Sequence, residues 1–140
     1  MESNMDKIKS LLLQQDYTCV VLDRHNNIIS SKENGIRPIM RLVLNDAKAL
    51  EEAFIADKVI GAAAATIIIE SDVKECYGQI MSESAINLLK SSNVKYSFAS
   101  TVPVILNRDK TGLCPMEKMT KDLDSATAYS VLKEFFKDKF

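Results

Sequence analysis

Ala53-Phe54-Ile55-Ala56-Asp57-Lys58-Val59-Ile60-Gly61-Ala62-Ala63-Ala64-Ala65-Thr66-Ile67-Ile68-Ile69 is the stretch whose reading decides the fold. Residues 61–69 read as a buried helix, because four successive alanines are strong helix formers. The trailing Thr66-Ile67-Ile68-Ile69 is β-prone and pulls the other way. Residues 53–59 read as a short strand or a loop. Downstream, residues 73–81 read as a strand, and Ser82-Glu83-Ser84 caps a helix over roughly 83–92 with Ala85, Ile86, Leu88 and Leu89 on its apolar face. Strands that alternate with helices favour a largely buried sheet with helices on both faces.

The flanking segments extend this pattern. Residues 3–15 read as a helix with Ser3 as its cap and Ile8, Leu11 and Leu12 on one face. Residues 17–23 and 28–32 read as the strands of a hairpin, joined by Arg24-His25-Asn26-Asn27, since Asn tolerates left-handed turns. Pro38 opens a helix near 38–52. Residues 94–98 and 102–106 read as strands, the second demoted to an edge or bulge by Pro103. Asn107 to Gly112 is a polar turn, Pro115 begins a short helix, and residues 125–137 form a last helix capped by Asp124 or Ser125. No repeat or linker divides the chain, so residues 1–140 are expected to form one domain, a three-layer α/β/α sandwich around a central mixed sheet.

Composition narrows the function classes. The chain has 140 residues, enough for a core that needs no disulfide or metal staple. Lys plus Arg number 18 and Asp plus Glu 19, a formal charge of -1 that argues against broad nucleic-acid or membrane-surface binding. Cys19, Cys76 and Cys114 are scattered and odd in number, the pattern of free thiols in a reducing compartment. The first ten residues mix both charges and read as neither signal nor transit peptide, so a cytoplasmic protein is expected.

Much familiar chemistry is missing. The four glycines, at 35, 61, 78 and 112, form neither a dinucleotide fingerprint nor a P-loop. The single histidine, His25, falls in the hairpin turn, which leaves no partner for a nucleophile of the Ser-His-Asp or Cys-His kind. A catalytic zinc takes three His, Cys or carboxylate ligands, and no spacing here supplies them. Cys19 and Cys76 sit mid-strand among apolar neighbours and read as core.

Three helix starts remain as site candidates. In Arg108-Asp109-Lys110-Thr111-Gly112-Leu113-Cys114-Pro115-Met116-Glu117-Lys118, Pro115 fits the first helical position, so Cys114 falls at the N-cap and Glu117 at the third residue. A thiol there feels the positive end of the helix, which favours the thiolate. Arg108 adds positive potential, and Glu117 is placed to carry a proton. The structural alternative is an ordinary capping box. Asp57 and Lys58 run into the alanine helix, whose start suits an anion; their alternative is a solvated helix start. Ser82 and Glu83 open the next helix, where plain capping is the stronger alternative. Three helix starts that follow strands can converge at one sheet edge, where ligand sites form.

These same residues resemble a family. Asp57-Lys58-Val59-Ile60-Gly61 with the alanine run, Met81-Ser82-Glu83, Val102-Pro103, Asn107-Arg108 and Gly112-Leu113-Cys114-Pro115-Met116-Glu117-Lys118 are similar to a small prokaryotic family of unknown function placed in the cytidine deaminase-like superfamily. The resemblance spans about residues 17–122, with Cys-Pro-Met-Glu-Lys its most specific part. It implies a central mixed sheet between helices. Zinc deaminases open one helix with His-x-Glu and the next with Pro-Cys-x-x-Cys. By element order those motifs would fall at 59–61 and 82–85, where this chain has no His or Cys. Members of the family often carry a lysine after the glycine of the alanine helix; here that residue is Ala62.

The resulting expectation is a deaminase-like domain without the zinc site, with no metal or cofactor and no zinc-dependent deamination. It would bind a nucleoside, nucleotide or similar anionic metabolite through Asp57, Lys58, Ser82, Glu83 and Arg108. One alternative is an enzyme with Cys114 as nucleophile and Glu117 as proton carrier. The other is a homodimer, formed through an exposed strand edge, that binds no ligand.

Overall fold

Five strands make one mixed sheet: β1 (Cys19–Leu22), β2 (Ile28–Ser31), β3 (Phe54–Ile60), β4 (Glu75–Ser82) and β5 (Lys95–Val102), in the order β2-β1-β3-β4-β5. The structure is a computed structural model that describes residues 2–107 and 109–140. β1 pairs antiparallel with β2 and with β3, while β3, β4 and β5 run parallel. Parallel neighbours need a crossover between them. Helices α3 (Ala62–Glu70) and α4 (Glu83–Lys90) supply the two crossovers, β3 to β4 and β4 to β5. The remaining helices are α1 (Asn4–Gln14), α2 (Arg37–Asn45), α5 (Pro115–Thr120) and α6 (Ser125–Phe136).

Capping sets several of these boundaries. Ser3, Ser82 and Asp124 accept hydrogen bonds from the backbone N–H three residues on, Asp6, Ala85 and Thr127 respectively. Each satisfies a donor that the helix itself leaves free. Pro115 stands at the first helical position of α5 behind Cys114, the place its missing N–H suits.

The core divides into two clusters across the sheet. Met5, Ile8 and Leu12 of α1 pack on Val20, Leu22, Ala56 and Tyr77. Ala63, Ala64, Ala65, Ile67 and Ile68 of α3, with Ile39 and Met40 of α2 and Leu132 of α6, pack on Cys19, Val21, Ile55 and Cys76. Adjacent residues Val20 and Val21 join different clusters, as the two-residue period of a strand requires. α3 lies among α2, α4, α5 and α6. Its alanines let four neighbours approach, and its isoleucines fill the space between them. Truncating one of these isoleucines to alanine would cost about 2–5 kcal/mol.

Of the two readings of residues 53–59, the strand holds: β3 is seven residues long and lies at the centre of the sheet. Two local expectations need correction. The helix expected near 38–52 stops at Asn45, where the Asp46 carboxylate accepts from Lys48 N–H at 3.0 Å and diverts the backbone into turns. Residues 102–106 do not form a second strand. β5 continues without a break from Lys95 to Val102 and ends before Pro103, which has no N–H to donate. Beyond it only a single bridge forms, between Leu106 and Leu113. Among the described residues, no helix is long and apolar enough to cross a membrane.

Candidate functional site

The start of α3 is capped from a distance. Gly61, its N-cap, has no side chain to offer. The carboxylate of Glu117, in α5, takes that place: Oε1 accepts from Ala62 N–H and Oε2 from Ala63 N–H, both at 2.7 Å. Charge-assisted bonds of this kind are strong, and the helix dipole adds to them. Glu117 is only 8% exposed. Gly61 makes the approach feasible, since a Cβ there would lie 2.5 Å from Glu117 Oε1 and 2.7 Å from Ile105 Cγ1.

This geometry corrects two expectations. Glu117 is no capping box for its own helix; it caps another one. The start of α3 is also not open to an external anion, because the chain's own carboxylate fills it. Cys114, at the N-cap of α5, makes no side-chain cap bond. Its backbone is fixed instead, with N–H donating to Ile105 C=O at 2.9 Å and C=O accepting from Lys118 N–H at 3.0 Å.

Asp57 lies within β3, not at a helix start, and pairs across the ladder with Cys19. It is 6% exposed. Burial pushes its carboxyl up from the usual 3.8 to about 7, while the N–H groups of Val59 and Lys58 and the Cys19 thiol pull weakly the other way. Val59 N–H donates to Asp57 Oδ1 at 3.2 Å. Burial, and then the charge of Asp57, drives the Cys19 thiol well above its ordinary 9.0. Burial likewise holds Cys76 up at about 12. Both thiols stay protonated and unreactive, as a core reading requires.

Asp57, Lys58, Cys114 and Glu117 line one cavity of about 240 Å³, together with Gly61, Ala63, Ala64 and Ile105. Its wall is otherwise largely apolar. Lys58 is tied at the rim, its Nζ 2.7 Å from Asp16 Oδ1. Thr18 also lines this space, with its hydroxyl donating to Ser31 C=O and Glu33 C=O. On the far side of Glu117 a second space of about 580 Å³ opens between the starts of α3 and α4, lined by Ala62, Ser84, Asn87 and the apolar Leu88, Val104 and Leu113.

The other expected residues lie apart. Ser82 is fully buried and committed to α4, accepting from Ala85 N–H at 3.1 Å and lying 3.1 Å from Ser84 Oγ. Glu83 is exposed in the first turn of α4 and lines neither space. Arg108 lies outside the described residues. Sequence reasoning missed Thr18 and Asn87, and neither carries a local signal, since isolated Thr and Asn are common on strands and helices. His25 sits in its turn, with its N–H donating to Asp23 Oδ1 at 2.9 Å. Among the described residues, no three His, Cys, Asp or Glu side chains are grouped to hold a metal ion.

A family model, Domain of unknown function (DUF1893), matches residues 7–136. The crystal structure of a DUF1893 family protein (TM1506) from Thermotoga maritima is similar in fold, with a TM-score of 0.84 at 21% sequence identity, over 97% of this chain and 92% of that one. No curated protein matches.

Proposed function

Because the chain belongs to the DUF1893 family, a domain of unknown function, we propose a reading from its site: a small-molecule binding domain whose ligand occupies the Asp57 cavity. The observation that carries it is Asp57 itself. A buried carboxyl held near pH 7 in an otherwise apolar wall is costly to the fold, and such groups gather at functional sites. Two carboxylates, Asp57 and Glu117, border the space. They favour a neutral or cationic ligand with hydrogen-bond donors and oppose a phosphate. The volume, about 240 Å³, lies below the roughly 300–1,000 Å³ usual for drug-sized ligands. A nucleobase, a compact nucleoside or a small amine suits it better than a nucleotide. Asp57 is assigned as the hydrogen-bonding partner, Cys114 as part of the wall and Lys58 as part of the rim.

We read the architecture as a three-layer α/β/α sandwich of the cytidine deaminase-like kind without zinc chemistry. Support comes from α1 on one side of the sheet and α2, α3 and α6 on the other. The two crossover starts, 59–61 and 82–85, hold no His or Cys. Three free cysteines fit a reducing compartment such as the cytoplasm.

A thermal-shift panel of free bases, nucleosides, small amines and sugar phosphates tests the binding reading. A base, nucleoside or amine should raise Tm, since ligand at a hundred times its Kd adds about 2.7 kcal/mol. The folded Asp57→Asn protein should lose that response. Stabilisation by phosphates alone would overturn the reading. A second reading, Cys114 as a nucleophile, draws on its being the one cysteine of the three that is not buried and that lines the cavity. Glu117 already accepts two backbone bonds, so Asp57 would be the proton acceptor. Alkylation of Cys114 with the pH profile of an ordinary thiol, near pH 8.5, would remove this reading.

A further inference from the structure

The two edges of the sheet are built differently. β2 has four residues and runs into Lys32 and Glu33, where Arg41 holds Glu33 in an ion pair at 2.8 Å. Short strands and charges of this kind discourage further pairing. β5 has eight residues, Lys95-Tyr96-Ser97-Phe98-Ala99-Ser100-Thr101-Val102, and β4 is its neighbour on one side only. Among the described residues, nothing outside β4 pairs with the backbone of residues 96–102. That run has no charge, no proline and no glycine. Residues 97–101 are all exposed, and Phe98 keeps 40% of its surface in water. Beyond Lys95 at its start, the strand carries neither the charges nor the prolines that usually protect an edge.

We propose that β5 is an interface between two copies of this chain, paired antiparallel about a two-fold axis normal to the sheet at Phe98 or Ala99. A two-fold contact uses the same surface twice, so a single open edge is sufficient. The charge pattern suits a second copy. Lys95 is already beside Glu75 of its own protomer, at 4.0 Å. With the axis at Phe98 the two Lys95 residues stand opposite Thr101, about 20 Å apart along the ladder. That separation exceeds the screening length of about 8–10 Å in ordinary salt. Tyr96 then faces Ser100 and Ser97 faces Ala99, all uncharged, and Phe98 gains Phe98 of the second copy as its cross-strand partner. The result is one continuous sheet of the two five-stranded halves.

Sedimentation or light scattering of the intact chain tests this directly. The expected mass is twice that of the chain, falling to a single chain in Phe98→Lys while far-UV circular dichroism is unchanged. A second measurement keeps the test independent of that variant's folding. Opposed Cα atoms of an antiparallel pair lie about 4.5–5.5 Å apart, within disulfide range. In a Cys114→Ser background, Phe98→Cys or Ala99→Cys should therefore form a disulfide-linked dimer on mild oxidation. A wild-type chain that stays monomeric up to high protein concentration overturns the proposal and leaves the edge to a strand from another protein. A dimer that survives Phe98→Lys and crosslinks at neither position overturns it too.

Discussion

The two strand-to-helix crossovers solve the same problem in opposite ways. At β4 to α4, Ser82 caps the helix with its own hydroxyl, three residues from the N–H it binds. At β3 to α3, Gly61 has nothing to offer, and the cap comes from Glu117, which binds Ala62 N–H from 55 positions away. The first crossover is closed and structural. The second brings two carboxyls, Asp57 and Glu117, to the wall of one cavity and makes the start of a buried helix depend on a distant loop and helix. Local capping frees a junction from the rest of the fold, whereas long-range capping ties a site to it.

Asp57 is where the contrast should be largest. A carboxyl whose pKa is raised by folding stabilises the protein when protonated. That stabilisation is complete below the unfolded value of 3.8 and is lost as pH rises through about 7. At about 1.4 kcal/mol per pH unit, the interval corresponds to about 4 kcal/mol. Denaturant titrations from pH 4 to 8 should therefore show wild-type stability falling across this window. Asp57→Asn should remove most of that slope and be the more stable protein at pH 8. A wild-type profile that is flat between pH 4 and 8 would mean that the carboxyl is solvated, and the two crossovers would then differ much less.

Next comes Glu117. Glu117→Ala leaves two N–H groups at the start of α3 without their charged acceptor, and hydrogen bonds to charged groups contribute about 1.5–3 kcal/mol each. Water can reach part of the vacated space, so a loss of about 3 kcal/mol is expected in chemical denaturation. Glu117→Gln keeps one acceptor and should lose about half as much. An effect below 1 kcal/mol would show that the α3 start is as self-sufficient as that of α4.

Gly61→Ala probes the same contact from the other side. A methyl group 2.5 Å from Glu117 Oε1 must push the carboxylate off the helix or shift Ile105. A loss of about 2 kcal/mol is expected, within the usual range for overpacking. The informative measurement is the double variant with Glu117→Ala. Once the carboxylate is gone much of the clash is relieved, so the two losses should fall short of adding. Simple additivity would place the Gly61 effect on Ile105 instead.

This asymmetry also explains what could be read in the sequence. Features settled within a few residues were legible: the Ser3, Ser82 and Asp124 caps, Pro115 behind Cys114, the alanine helix and the core role of Cys19. Glu117 stands out in the sequence, but its local spacing fits a capping box, whereas its backbone partners are Ala62 and Ala63. Asp57 and Lys58 looked like the polar start of a helix. A charged pair rarely marks a central strand, and here the strand tolerates it because Asp57 faces a cavity while Lys58 reaches Asp16 at the surface. Residues 102–106 had strand-like composition, but Pro103 ended the ladder. In each case the deciding contact lay outside the window that a local pattern can see.

The smallest effect belongs to the closed crossover. Ser82→Ala removes the acceptor for Ala85 N–H and the contact with Ser84 Oγ. Replacing an N-cap serine by alanine costs about 1 kcal/mol in general. Ser82 is fully buried, so water cannot readily take over the freed donor, and the loss should reach at least that figure in a denaturant midpoint measurement. It should not change with pH between 4 and 8, because no titrating group takes part. Nor should it change the thermal-shift response of the Asp57 cavity, which Ser82 does not line. If Ser82→Ala did abolish that response, the two crossovers would be coupled through Ser84, at the edge of the second space beside Glu117, and the division between a structural junction and a functional one would fail.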